Sequence, residues 1–350
     1  MIKHQTLSPS LWGLTTLLLA ALAMHLSACD FIDPGEESAA SVELHPVLID
    51  GFWGFISSQG RIMITPDFET VGEFSDAMAA VQFGADWGYV NSNGELAVQP
   101  QYQFAGNFVD GLAPVRGSGF SDKYGFIDQA GATVIAAQYD LAQAFSEGLA
   151  AVRLNGQWGY VNRKGEMAIA PQFSDARPFS EGVAAVEGPD GWLYINKSGE
   201  PALTPAFTLE AAGSFSDGLA AFSTREGWGY LDREGRPVIS PQYDQAEPFS
   251  EGLAVVKEGR IYVFIDAQGN RAFPNEFEAA LPFAEGLAPV RVERHWVYMS
   301  RATGEQAFIR EFDRAETYSN GIARVYLGRG ENPRIGYVDR NGDYVWFPTH

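Results

Sequence analysis

The stretch FSEGLAAVRLNGQWGYVNRKG, residues 145–165, holds three short strands and the turns between them. Leu149 to Arg153 is a brief apolar run. Asn155-Gly156 follows, the pair that most readily supplies two positive-φ residues to a tight hairpin. Trp158 to Asn162 alternates as a second strand, Arg163 to Gly165 turns the chain, and Glu166 to Ala170 runs as a third. Pro171 ends that strand, because proline has no N–H to give a ladder. A connector from Gln172 to Gly182, carrying Phe173 and Phe179, leads to the next copy.

Near-copies cover most of the chain. The aromatic that opens the second strand recurs at Trp53, Trp87, Tyr124, Trp158, Trp192, Trp228, Tyr262 and Trp296, and a last copy begins at Ile335. The intervals are 34, 37, 34, 34, 36, 34, 34 and 39 residues. A period in this range marks a repeat architecture, in which each unit is too small to be stable until it stacks on its neighbours. Along a strand, residues i and i+2 share a face, so Trp158 and Tyr160 form one apolar side. Gly159 leaves the other side open to a close backbone or ring.

Trp-Gly-Tyr-Val-Asn, the turn glycine after it, and Phe-Ser-Glu-Gly-Leu-Ala together resemble the bacterial WG-repeat family, also called KWG repeats. The resemblance spans about residues 47–347. It implies a repeat architecture and no particular activity, since the family is defined by its repeat. Leu193, Val263 and Val297 depart by replacing the motif glycine, and Tyr124 and Tyr262 by replacing Trp.

The expected fold is all-β. About nine three-stranded antiparallel units of some 34 residues form an open or partly closed superhelical stack over residues 47–350. The alternative is a β-propeller, whose blades usually have four strands and number four to eight. Three strands per unit favour the stack, although the connector could add a fourth.

The N-terminus reads differently. Lys3 and His4 precede an apolar run from Leu11 to Met24 and then Leu26-Ser27-Ala28-Cys29. A short basic end, an apolar core and small residues describe a secretory signal over residues 1–28. Leu-Ser-Ala-Cys resembles a bacterial lipobox, which implies lipidation at Cys29. Cys29 is the only cysteine, so it can form no internal disulfide. Residues 29–46 read as a lipidated cysteine and flexible tether. Asp30 resembles the signal that holds enterobacterial lipoproteins in the inner membrane.

Composition narrows the function. A net charge of −20 with no basic run argues against nucleic acid. His45, His295 and His350 are the histidines beyond the signal, none in metal-ligand spacing, so no metal, cofactor or catalytic residue is expected. Asp76, Asp110, Glu147, Glu181, Asp217, Glu251 and Glu285 recur at one connector position; Asp128, Asp232, Asp266 and Asp339 recur after the second strand. Calcium loops or glycosidase pairs would need denser patterns, so turn chemistry is expected. The longer hairpins at 116–123 and 327–334 are the expected binding edge. The anticipated function is a non-catalytic envelope scaffold for an envelope protein or ligand. A carbohydrate- or peptidoglycan-binding module is the alternative, and a hydrolase the remote one.

Overall fold

The computed structural model describes residues 43–117, 122–203, 205–328, 330 and 333–350. The signal, Cys29, Asp30 and most of the tether lie outside these residues. The first strand begins at Leu44, so residues 44–46 belong to the β domain and not to the tether.

In the unit that carries the quoted stretch, Leu149–Leu154 pairs antiparallel with Gln157–Asn162 across the Asn155-Gly156 turn, whose φ values are 52° and 85°. Met167–Phe173 adds the third strand. Its register is broken, with Tyr160 facing Ile169 but Trp158 facing Phe173, so extra residues bulge toward Gly159. A Cβ on Gly159 would lie 2.5 Å from the Ile169 carbonyl oxygen and 2.7 Å from the Pro171 nitrogen. The close neighbour that makes glycine necessary is therefore the unit's own third strand.

The departures from glycine have a structural consequence. Units with Gly54, Gly88, Gly125, Gly159, Gly229 or Gly336 keep a third strand of six or more residues. With Leu193 the third strand shrinks to Pro201–Leu203. With Val263 and Val297 only isolated bridges remain, such as Tyr262 to Phe277 and Trp296 to Phe312.

Nine such units follow one another, the second and third fused into one seven-stranded sheet through the long strand Leu96–Ala105. From the second unit on, the connector supplies a fourth strand beside the first, as with Asp175–Ala176 against Val183–Gly188. Apolar clusters lie between units more than within them. One joins Trp158, Tyr160, Ile169 and Phe173 to Ala184, Val186 and Ile195 of the next unit.

Each junction between consecutive units carries the same kind of ring pair. The second residue after the opening aromatic meets the connector ring of the next unit, usually edge to face: Tyr89 with Phe108, Tyr160 with Phe179, Tyr194 with Phe215 and Tyr230 with Phe249, at 4.7–5.2 Å. These tyrosines are fully buried, and their hydroxyls donate to connector carbonyls at 2.6–2.8 Å. Tyrosine, more than the half-buried Trp of most units, is the glue between units.

The array closes on itself, at the closed end of the range expected from sequence. Val47 and Ile56 of the first unit share a cluster with Ile322, Ile335 and Tyr337 of the last. Tyr337 donates to the Pro46 carbonyl at 2.5 Å and Thr349 to the Leu48 carbonyl at 2.5 Å. In other units connector N–H groups serve the matching carbonyls, as Arg177 N–H does for Ala185.

Candidate functional site

Most residues singled out for possible chemistry are occupied in holding units together. Glu147, Glu181 and their equivalents sit at φ near 50°, each followed by a glycine in a tight turn except Asp76, which is followed by Ala77 at φ 60°. That backbone aims the carboxylate at the next unit. Asp76 accepts from Gly111 N–H, Glu147 from Gly182, Asp217 from Gly252, and Glu285 from Gly321, at 2.8–3.2 Å. A side chain from the next unit's second turn often adds a donor. Lys197 reaches the Glu147 carbonyl and carboxylate, and Arg233 does the same at Glu181. These carboxylates are turn residues, but their reach across units was not apparent from one copy.

The other carboxylate series caps its own turn. Asp232 accepts from the backbone N–H of Glu234 and Arg236, and Asp266 from Gln268 and Asn270, at 2.9–3.0 Å. Against burial, which pushes both up, the Arg236 side chain and these N–H groups hold the Asp232 carboxyl below the usual range, and the Asn270 backbone and side chain with the other N–H groups do so for Asp266. The histidines are not brought together. His45 lies at the closing junction with its Nε2 3.2 Å from the Ser58 hydroxyl, whereas His295 faces Glu311 at 3.5 Å. Among the described residues no group of three His, Cys, Asp or Glu side chains could hold a metal. The tips of the two long hairpins, residues 118–121 and 329, 331 and 332, lie outside the described residues.

One unit is built differently, the one opened by Trp228. Leu209 takes the place of Phe173, bridging to Trp192 as Phe173 pairs with Trp158. The 36-residue interval from Trp192 to Trp228 holds two residues more than the usual 34, and because Leu203 faces Tyr194 as Ile169 faces Tyr160, they fall between Leu203 and Leu209. They push Phe207 outward, 5.1 Å from Phe222. Phe222 itself faces Gly229 where Val152 faces Gly159, and Ser223 faces Trp228 where Arg153 faces Trp158.

These changes leave a cleft of about 480 Å³ floored by Phe207, Phe222, Pro237 and Pro241, with Glu210 and Arg225 at its rim, 3.5 Å apart. A second hollow of about 410 Å³ shares Glu210, Arg225 and Glu226 and extends to Trp228 and Asp244. The first has mostly apolar walls with a few fixed polar groups, the form of small-ligand sites, and the second is mainly polar. The sequence shows the lengthened interval before Trp228, but Phe222 and Ser223 do not stand out in a single copy. Aligning the copies exposes both, since the position of Ser223 elsewhere holds longer side chains such as Arg116, Arg153, Lys257 and Arg291.

Fold and cleft define a closed all-β repeat array. Residues 53–85, 87–116, 124–158, 158–187, 192–226, 228–260 and 264–296 match the WG containing repeat. The chain belongs to the family of proteins built from that repeat. No curated protein matches it. Among solved structures, a eukaryotic initiation factor is similar at 12% identity over 87% of this chain and 94% of that one, with a TM-score of 0.59. At that identity the likeness concerns the fold alone. Hsv2 of Kluyveromyces lactis (10% identity, 56% of this chain and 71% of that, TM-score 0.39) and PorZ of Porphyromonas gingivalis (10%, 87% and 46%, 0.36) are looser likenesses.

Proposed function

We propose that the protein is a bacterial envelope lipoprotein, anchored by lipid on Cys29 after removal of residues 1–28, whose repeat array is a non-catalytic scaffold for ligand or protein binding. The observation that supports the scaffold reading is the fate of its chemistry-bearing residues. The recurrent carboxylates and tyrosines are committed to junctions between units. The cleft of the Trp228 unit is where the repeat is relaxed to make space, and recognition is assigned there. In a Gram-negative cell, Asp30 favours retention at the periplasmic face of the inner membrane.

Palmitate labelling that disappears in Cys29→Ser tests the anchor. Crosslinked pull-down from membranes, comparing wild type with a variant whose cleft is filled, tests the scaffold; identical partner sets would refute the role of the cleft. A second reading, a glycan-binding module, draws on Trp53, Trp87, Trp192, Trp228 and Trp296, which are only half-buried. Retention on isolated sacculi would favour it.

A further inference from the structure

We infer that the cleft of the Trp228 unit binds an amphipathic organic cation, an apolar or aromatic body carrying an amine, quaternary ammonium or guanidinium. This rests on the reading of that cleft as a ligand site and names its ligand class. The repeat itself shows what occupies the place. In three other units a basic side chain lies over the opening aromatic ring: Arg116 over Tyr124 at 5.6 Å, Arg177 over Trp192 at 5.3 Å and Lys257 over Tyr262 at 5.7 Å. Arg116 and Lys257 project from the first-strand position that faces the aromatic. In the Trp228 unit that position is Ser223, and no cation lies over Trp228 among the described residues. The half-buried Trp228 ring lines the hollow without an internal cation over it and is framed by carboxylates.

Charge and shape agree with the vacancy. Glu210, Glu226 and Asp244 border the hollow beside Trp228 against a single cation, Arg225, which projects into solvent and is paired with Glu210. The chain's net charge of −20 adds a long-range attraction for cations. Trp is the ring that binds cations best, and a site shielded from water strengthens the attraction. The adjoining floor of Phe207, Phe222, Pro237 and Pro241 lies across the shared rim, so one ligand can place its charge over Trp228 and its body on the floor. An anion would meet the carboxylates, and a neutral ligand would leave the ring face unused.

The test titrates the full chain with benzyltrimethylammonium, benzyl alcohol and phenylacetate, following the indole N–H resonance of Trp228 assigned through Trp228→Phe. Saturable binding of the ammonium, about tenfold tighter or more than either counterpart, is the expected result. Ser223→Arg should abolish it while leaving the melting temperature near wild type, because arginine holds the same position in three other described units. If that variant does not fold, Glu210→Gln should weaken the ammonium several-fold and leave benzyl alcohol unchanged. Equal or tighter binding of the alcohol or the anion would overturn the ligand class and leave the cleft a ligand site. Absence of binding by all three probes to the folded chain would overturn both.

Discussion

Replacing Gly159 by valine isolates the feature that separates complete from incomplete units. The added Cβ would lie 2.5 Å from the Ile169 carbonyl oxygen, 2.7 Å from the Pro171 nitrogen and 2.9 Å from the Ala170 carbonyl carbon. All three are backbone atoms, so no side-chain rotation relieves the clash. If the third strand yields by a few tenths of an ångström, the cost is that of overpacking, about 1–3 kcal/mol. If it detaches, Ile169 and Phe173, now 3% and 6% exposed, lose their burial. At about 1.5–3 kcal/mol per large apolar side chain, detachment costs roughly 3–6 kcal/mol. Overpacking is the cheaper outcome for alanine and detachment the expected one for valine, whose two methyls reach further. Native-state hydrogen exchange reads this locally, which suits an array whose units need not open together. Amides of Met167–Phe173 should lose protection in Gly159→Val, whereas those of Leu149–Leu154 should keep most of theirs. Unchanged protection of the third strand, with a stability loss under about 1 kcal/mol, would show that glycine is not needed for its approach.

Tyr230→Phe removes a buried hydroxyl that donates to the Glu247 carbonyl at 2.6 Å in a part-buried junction bond. A loss of about 0.5–1.5 kcal/mol in urea unfolding is expected, and less for Tyr262→Phe, whose hydroxyl bonds an exposed glutamine. Glu181→Ala removes an exposed inter-unit contact to Gly218 and Arg233 and should cost only about 0.5–1 kcal/mol, with the effect shrinking in salt. His45 is held neutral by burial and by the nearby Arg324 charge, which together push its pKa down to about 4. The unfolded chain takes up this proton first as pH falls, so stability should drop from about pH 6.5 to about 4. Thermal melts of His45→Ala, the residue type of Ala150 and Ala184 at the same position, should lack that part of the pH dependence.

The parts of this fold legible in the sequence are those set locally. Asn155-Gly156, Pro171 and the Glu-Gly turns each dictate a backbone state within a few residues, and recurrence multiplies the signal. Closure is different in kind, because it depends on a small rotation between neighbours summed over the whole array. The substitutions Leu193, Val263 and Val297 were visible, but their effect was not. Gly159 reads as clearance for a neighbour, and only the bulged register of Met167–Phe173 shows that the neighbour is its own strand. The cleft was obscured for a related reason. Ser223 looks like ordinary variation until the space it leaves is seen together with the displaced Phe207.

The closing junction explains why an array of nearly equivalent units stops at one ring. Every junction joins the trailing face of one unit to the leading face of the next, a head-to-tail contact that can also propagate between molecules. Identical chemistry at the last junction would let the ninth unit accept the first unit of another chain as readily as its own. Here the chemistry is distinct. Arg324 occupies a position held by Ala151, Ala185, Ala221, Val255 and Pro289 in other units. It is largely buried and meets Glu73 at 2.5 Å, Glu316 at 3.5 Å and the Tyr337 hydroxyl at 2.8 Å. Glu73 belongs to the connector into the second unit, so the guanidinium ties the last unit to the second beside the first. Reaching both partners at once requires the first two units to be in place around the closing face. The guanidinium is buried but the Glu73 carboxylate is half exposed, so the pair adds little net stability, whereas losing Glu73 or Glu316 would leave the buried Arg324 charge poorly compensated. The residue therefore selects correct closure more than it strengthens the ring. Arg324→Ala should raise the fraction of higher oligomers in light scattering at high concentration, and an unchanged monomer would refute that role.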